Sequence, residues 1–139
     1  MVLFVAKGTD REVCLLVTEL AKQIDDHLRS HLHGFGLTPS QAMALRELRS
    51  PLTMRELAGR MSCEASNVTF VIDRLEAGGL VERTADPGDR RTRRVRLTAD
   101  GRILRTRLMR ELTKDSPLGG LDTQDRLQLE GLLAKAVRT

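Results

Sequence analysis

Apolar residues recur at every third or fourth position from Asp10 to about His33, which predicts one long amphipathic helix ended by the glycines at 34 and 36. A second terminal helix is predicted after Asp122, which can cap it. The two apolar stripes consist of Val13, Leu16, Val17, Leu20, Ile24, Leu28 and Leu32, and of Leu129, Leu132, Leu133, Ala136 and Val137. These two stripes hold more apolar surface than is needed to cover the core of the domain that lies between them in the sequence. A partner is therefore expected to cover part of them.

The middle of the chain predicts shorter helices, each with its own start signal. Thr38 begins a capping box followed by proline, and opens a helix that runs to about Arg49. Thr53 and Glu56 form a second capping box, which opens a short helix. After a brief turn another helix is predicted over 64–78, with an inward face made of Ala65, Val68, Val71, Ile72 and Leu75. Two helices joined by a tight turn are typical of a helix-turn-helix.

A β-hairpin is predicted next, with strands at 80–85 and 95–98 around a turn-rich loop at 86–94. Thr98 is expected to cap a fifth helix, whose inward residues are Ile103, Leu104, Leu108 and Leu112. The predicted fold class is therefore mainly α with a small β-hairpin wing: a winged helix-turn-helix with N- and C-terminal dimerisation helices, in a single domain.

The positive charge of the chain is concentrated in the hairpin and in the helix behind it. The 139 residues include 23 Lys or Arg and 19 Asp or Glu, a net charge of +4. Residues 83–110 hold ten arginines and three aspartates, a local charge of +7, which leaves −3 for the rest. Such a segment favours a polyanionic partner, although a solvated basic face has the same pattern. Three Phe with no Trp or Tyr argue against the aromatic stacking used by single-strand and RNA-binding sheets.

The sequence disfavours several classes of protein. No segment has the ~20 apolar residues of a membrane span, and the opening MVLFVAKG is too short and wrongly flanked for a signal peptide. Two cysteines are too few for a disulfide scaffold, so a reducing cytoplasm is expected. We expect no catalysis and no cofactor, because the chain has no Gly-rich phosphate loop, nucleophile elbow or metal cluster. His27 and His31 have metal-ligand spacing, but a surface or dimer-packing role is expected.

The helix predicted over 64–78 is the candidate recognition helix, because its outward side chains are able to read base edges in a major groove. Each has an alternative: Ser66 and Asn67 could cap the helix, Phe70 could pack under a loop, and Arg74 could pair with Asp73 or Glu76 instead of a phosphate. The candidate DNA-binding residues of this helix are Ser66, Asn67, Thr69, Phe70 and Arg74.

The hairpin loop is the candidate minor-groove contact. A narrow minor groove has a strongly negative potential that attracts inserted arginines. The loop supplies Arg90, Arg91, Arg93 and Arg94. Asp89 is expected to accept hydrogen bonds from the Arg91 guanidinium and to hold it pointing outward.

The run GGLVERTADPGDRRTRRVRLTADGR (78–102) resembles the wing of the MarR family of bacterial winged-helix repressors, with its GLV-R strand, DP-DRR tip and LT–G-R exit. Upstream, LTPSQAMALREL, TMRELAGRM and SNVTFVIDRLEAGGL are similar to the second, third and fourth helices of that family in order and spacing. The resemblance covers about 32–104 residue by residue, and the flanking helices by pattern only.

This resemblance implies a homodimeric regulator of double-stranded DNA, with dimerisation helices in 10–34 and 115–139 and a winged helix-turn-helix over 38–100. It implies that Arg91 enters the minor groove and that Asp89 orients it. Base contacts are implied for Ser66, Asn67, Thr69 and Phe70, and phosphate contacts for Thr53, Arg55 and Arg74. A two-fold dimer would read a pseudo-palindromic operator with recognition helices ~34 Å apart.

The resemblance also implies an effector, since regulators of this family respond to phenolic ligands, oxidants or metals; the chain matches no ligand set of the metal sensors, which leaves a small molecule or an oxidant. Cys14, 24 residues before Thr38, has a spacing that resembles the sensing cysteine of the organic-peroxide branch, but the tyrosines found there are absent from this chain. We therefore expect Cys14 to be a buried apolar residue. At the start of the recognition helix the helix dipole could favour a Cys63 thiolate, although packing is the expected role.

Two alternatives to a ligand-released repressor stay open. One is a thiol-based oxidant-sensing repressor that uses Cys14 or Cys63, which would lose DNA binding on oxidation. The other is a winged-helix module that binds a protein, for which charge reversal in the wing would leave function intact.

Overall fold

The computed structural model describes residues 8–137. The segment in which the sequence argues against a signal peptide, and the last two residues of the region assigned to dimerisation, lie outside the described residues. The chain forms two compact units: a terminal unit, which joins the segment up to His27 to the segment from Lys114, and a central unit, Leu28–Thr113. Within 8–137 no helix is both long and apolar enough to cross a bilayer.

The first helix, α1 (Asp10–Ser30), is shorter than the pattern predicts. The amide of His31 donates to the carbonyl of Leu28, at 3.2 Å, and this three-residue step tightens and ends the helix. The chain then turns through glycines at 34 and 36, whose φ angles of 88° and 66° suit a residue without Cβ.

The last helix, α6 (Thr123–Ala136), begins as predicted. The Asp122 carboxylate accepts the Asp125 amide at 2.8 Å, and the Asp125 carboxylate accepts the Asp122 amide at 3.3 Å. This capping box satisfies two amides that the helix itself leaves free. None of the described residues of α6 is buried, so its apolar residues remain at least partly accessible to solvent on a single chain.

The central unit contains α2 (Pro39–Glu47), α3 (Met54–Met61), α4 (Ala65–Ala77) and α5 (Ala99–Glu111). All three threonine caps are confirmed: the hydroxyls of Thr38, Thr53 and Thr98 accept amides of Gln41, Glu56 and Gly101 at 3.1–3.2 Å. The buried core side chains include Leu45, Leu57, Val68, Val71, Ile72, Leu75, Val95 and Leu108.

Two residues predicted to face inward are exposed. Ala65 is the first residue of α4, before the turn at which Val68 enters the core. Ile103 is 62% exposed, because the side of α5 that packs inward carries Gly101 and Leu108, with Leu104 half-buried between them. Ile103 is one residue, or about 100°, away from Leu104 on the helix.

The hairpin belongs to a three-stranded antiparallel sheet. Its strands are β1 (Leu52–Thr53), β2 (Val81–Asp86) and β3 (Asp89–Leu97), in the order β1-β3-β2. Strand β1 has no signal in the sequence, because two residues are too few to show alternation. Its pairing of Leu52 with Val95 ties the segment before α3 to the wing.

The predicted loop at 86–94 is wrong, since the chain reverses in two residues, at 87–88. The Asp86 carboxylate accepts the amide of Gly88 at 3.1 Å, and Pro87 presets the backbone between them, so the turn closes at once. The four arginines assigned to the loop, Arg90, Arg91, Arg93 and Arg94, therefore lie on β3.

Helix α5 starts in direct contact with the entry to β2. The Thr98 amide donates to the Leu80 carbonyl at 3.0 Å, and the Thr98 hydroxyl donates to the Gly79 carbonyl at 2.6 Å. A Cβ at Gly101 would lie 1.9 Å from the Leu80 oxygen. Only glycine allows this approach of two backbone segments.

Candidate nucleic-acid interface

The outward face of α4 is open to solvent. Buried residues of this helix occupy the opposite face, and the five candidate contacts Ser66, Asn67, Thr69, Phe70 and Arg74 are all exposed. Glu64 occupies the N-cap position, and its side chain makes no cap hydrogen bond. Ser66 and Asn67 are thus past the cap, in the first turn, where side chains of a recognition helix reach base edges.

Phe70 and Arg74 form a stacked pair on this face. The Arg74 guanidinium carbon lies 4.9 Å from the centroid of the Phe70 ring, within the range of a cation–π contact. The ring is 60% exposed, so the alternative that Phe70 packs under a loop is wrong. The stack leaves the guanidinium at the surface, where it is accessible to a phosphate.

The carboxylates of Asp73 and Glu76 are paired with Arg83, a residue for which the sequence predicts no particular role. Nη2 of Arg83 donates to Asp73 Oδ1 and Nη1 donates to Glu76 Oε1, both at 2.6 Å. Arg83 belongs to β2, and its partners belong to α4, so this contact joins the wing to the candidate recognition helix. The sequence left open that Arg74 pairs with Asp73 or Glu76. In the structure both carboxylates form their ion pairs with Arg83.

At the tip of the wing, β3 carries a bulge. Asp86 is paired with Asp89 and Ala85 with Arg93, so the three residues between Asp89 and Arg93 have no partner on β2. Arg90 and Arg91 lie in this bulge, exposed to solvent.

Asp89 organises the bulge through atoms other than those expected. Its Oδ1 accepts the backbone amide of Arg91 at 2.9 Å, and its Oδ2 accepts the hydroxyl of Thr92 at 3.1 Å. The expectation that Asp89 holds the Arg91 guanidinium is wrong. The carboxylate instead fixes the backbone from which Arg91 extends, which leaves the side chain free of this carboxylate.

Arg93 is exposed like Arg90 and Arg91, whereas Arg94 is turned toward the protein. Its Nη1 donates to the Pro51 carbonyl at 3.4 Å, and its Nε lies 3.4 Å from Asp86 Oδ1. The pKa of Asp86 is lowered, first by the hydrogen bond from the Gly88 amide and then by Arg94. Arg94 thus connects the turn that closes the wing, through Asp86, to the segment before α3, through Pro51.

The two predicted phosphate contacts at the start of α3, Thr53 and Arg55, differ in how far their side chains are already engaged in hydrogen bonds. Thr53 is the helix cap, and its amide donates to Glu56 Oε1 at 3.2 Å, a hydrogen bond that is the first cause of the lowered pKa of Glu56. The Thr53 side chain already accepts the Glu56 amide, so only its hydroxyl hydrogen is open to a phosphate. Arg55 is exposed.

The two cysteines are unlike each other in environment. Cys14 is exposed on α1, so the expectation of a buried residue is wrong for this chain. Cys63, between α3 and α4, is half-buried, and its thiol lies 3.3 Å from the Met61 carbonyl. Among residues 8–137 no group of three or more His, Cys, Asp or Glu is placed to hold a metal ion.

Within the central unit, an exposed helix face with hydrogen-bonding side chains is joined to a basic hairpin on the same scaffold. This combination defines a winged helix-turn-helix DNA-binding protein. Residues 37–92 match the family model of the MarR family. The chain belongs to the MarR family of DNA-binding transcriptional regulators.

Relatives and solved structures agree with this assignment. The chain is 32% identical over 119 residues to the uncharacterized HTH-type transcriptional regulator YkoM of Bacillus subtilis, covering 83% of this chain and 77% of that protein. Over the curated relatives that the chain matches, it spans between 50% and 77% of their length.

Two solved structures are similar over nearly the whole chain. A cysteine-to-serine mutant of Escherichia coli MarR, complexed with operator DNA, is 26% identical with a TM-score of 0.66, covering 91% of this chain and 94% of that one. Bordetella bronchiseptica BpsR, described with regulation of its DNA binding by 6-hydroxynicotinic acid, is 26% identical with a TM-score of 0.68, covering 90% and 98%.

Proposed function

We propose that the protein is a homodimeric repressor that binds a pseudo-palindromic operator and is released by a small effector. The observation that carries this proposal is the combination, in one unit, of the exposed face of α4 with the exposed arginines of the wing tip. The domain division proposed with it assigns 10–34 and 115–139 to dimerisation and 38–100 to DNA binding.

The chemistry of each surface suits a different groove. Asn67 is able to form a bidentate contact with adenine, and Phe70 offers an apolar contact for a thymine methyl. Arg90, Arg91 and Arg93 are exposed cations on a narrow hairpin, which suits a minor groove. Arg74 and Arg55 are exposed cations that suit contacts with phosphates, which set orientation and not sequence preference.

The terminal unit supports the choice of a second copy as the partner. Val13, Leu16, Leu132 and Val137 are 50–67% exposed, more apolar surface than a lone protein leaves without a function. Side chains of α1 and α6 line an apolar groove of about 360 Å³, formed by Val13, Leu16, Val17, Leu20, Ala21, Ile24, Leu129 and Leu133. Because operators read by paired helices are pseudo-palindromic, a two-fold partner fits this surface best.

The effector proposed is a small aromatic acid. The support comes from BpsR, a relative in structure whose DNA binding is described as regulated by 6-hydroxynicotinic acid.

Selection of duplexes from a random pool with the full chain tests this function. We expect enrichment of an inverted repeat with half-site centres ~10 base pairs apart. Affinity for the enriched duplex should fall steeply with salt, because several arginines displace condensed counterions. An unenriched pool, or a shallow salt dependence, would favour the protein-binding alternative. Competition with aromatic acids and with hydroperoxides then separates ligand control from oxidation of a cysteine.

Replacing Arg91 with alanine is expected to weaken operator binding by ~1–3 kcal/mol, because the exposed side chain of the bulge no longer enters the minor groove. Fluorescence anisotropy with the selected operator measures the effect. Arg107→Ala is a matched control, because Arg107 is also exposed but lies on α5, away from the wing, with its guanidinium over the ring of Phe35. Equal affinities of the Arg91 variant and the unchanged protein would remove the minor-groove role.

A further inference from the structure

We propose that Arg83 is a positioning residue for DNA reading, because its guanidinium fixes the wing to the recognition helix so that both reach the operator in one arrangement. This inference rests on the proposed function. Arg83 lies on β2, and its two charged partners lie on α4. Its role needs no contact with DNA.

The geometry of the contact fixes more than a distance. The two terminal nitrogens of Arg83 donate at 2.6 Å to carboxylates three residues apart, at Asp73 and Glu76, which lie on neighbouring turns of α4. A planar guanidinium holds its donors in a rigid fork, so a two-point contact constrains both the position and the rotation of the helix relative to the strand. Lysine carries the same charge but cannot form this planar fork.

The burial of the three side chains fits this role. Arg83 is 23% exposed, whereas Asp73 and Glu76 are 60% and 42% exposed. The arginine therefore lies largely within the protein surface, and the two carboxylates close over it from the helix. Asp73 and Glu76 are 10 and 7 residues away from Arg83 in sequence and belong to a different element. The two ion pairs therefore connect β2 to α4 and are not contacts within a single element.

Removal of the two carboxylates has different effects on DNA binding through positioning of the wing and through net charge. Asp73 is three residues after Phe70 and seven after Ser66, on the same outward side of α4. Removing both carboxylates makes this DNA-facing surface more positive, which favours any duplex. Removing the two carboxylates also releases the wing from α4. This weakens binding only to a duplex that the wing and α4 must contact together, namely the operator.

The test is the double variant Asp73→Ala/Glu76→Ala in the full chain. If Arg83 positions the wing, affinity for the selected operator falls about 2- to 30-fold, the range expected for the loss of two exposed ion pairs. Affinity for a random duplex of the same length stays constant or rises, because the loss of two carboxylates makes the protein more positive. Fluorescence anisotropy on both duplexes measures this opposite response.

Glu82→Ala is the matched control. Glu82 pairs with Arg96 at 2.5 Å across β2 and β3, with side chains 46% and 53% exposed, and this pair does not involve α4. Its removal also takes away a negative charge, one where the double variant removes two, and breaks an exposed ion pair. We expect no loss of operator affinity in this variant.

Operator affinity that is unchanged or raised in the double variant overturns the inference. Arg83→Gln and Arg83→Lys give a second measurement if the double variant does not fold: the glutamine variant should lose operator affinity, and lysine should restore only part of it. Full rescue by lysine would overturn the role of the planar fork. A wild-type chain that enriches no sequence refutes the proposed function, whereas an operator-binding wild type with an unaffected double variant refutes only the role of Arg83.

Discussion

Replacing Leu16 with glutamate is expected to convert the proposed dimer to a monomer and to weaken operator binding about 100-fold or more, because each half-site is then bound by a separate, unlinked monomer. Leu16 is 63% exposed on a single chain and lines the apolar groove of α1 and α6. A carboxylate there leaves the fold of one chain intact, but a dimer would have to bury two unpaired charges.

Sedimentation velocity and operator anisotropy measure the two parts of this prediction, and circular dichroism checks that helix content is kept. Leu15→Glu is a matched control, because Leu15 is 56% exposed but does not line the groove and points about 100° away from Leu16 around α1. A Leu16 variant that remains dimeric at the same concentration as the unchanged protein would refute the assignment of this groove to a second copy.

Gly101→Ala is expected to lower the free energy of unfolding by about 2–4 kcal/mol, by forcing two backbone segments apart. The new Cβ would meet the Leu80 carbonyl oxygen at 1.9 Å and its carbon at 3.0 Å. That oxygen accepts the Thr98 amide, and the Gly101 amide is itself bound to the Thr98 hydroxyl. Relief of the clash therefore disturbs both the cap of α5 and the entry to β2.

Thermal unfolding of the variant should show a fall in Tm of about 10 °C. The same substitution at Gly59 is the control, because Gly59 lies within α3 and nothing is within 4 Å of the position that its Cβ would take. There alanine is expected to stabilise the protein by about 0.5–1 kcal/mol, through its better helix propensity. An unchanged Tm of the Gly101 variant would mean that the start of α5 moves away from Leu80 at no energetic cost, and would contradict the prediction.

Features determined by neighbouring residues were predictable from the sequence. At Thr38, Thr53, Thr98 and Asp122 the capping side chain accepts a backbone amide three positions later, and each cap is found where the pattern predicts it. The buried face of α4 follows the apolar spacing from Val68 to Leu75. The candidate DNA contacts on α4 were predictable for the same reason, since they are what that spacing leaves exposed.

Features that depend on distant contacts were not predictable in this way. The partners of Asp89 are only two and three residues away, but which of their atoms it binds depends on the backbone of the bulge, which the sequence does not reveal. In the sequence Arg83 is indistinguishable from the other arginines of the basic segment, and only the fold shows that it contacts α4. Arg94 likewise differs from its neighbours only because β1 and Asp86 lie beside it.

The bulge at the tip of the wing has a consequence for how such a protein can diversify. Strand pairing stops at Asp89 and resumes at Arg93, and the three residues between them are matched by nothing on β2. Insertion or deletion of a residue inside this interval changes the reach of Arg91 and leaves the register of the rest of the sheet unaltered. The reach of the proposed minor-groove contact can therefore change by single-codon insertions or deletions that disturb the hydrogen bonds of Asp89 but leave the strand pairing behind them in place.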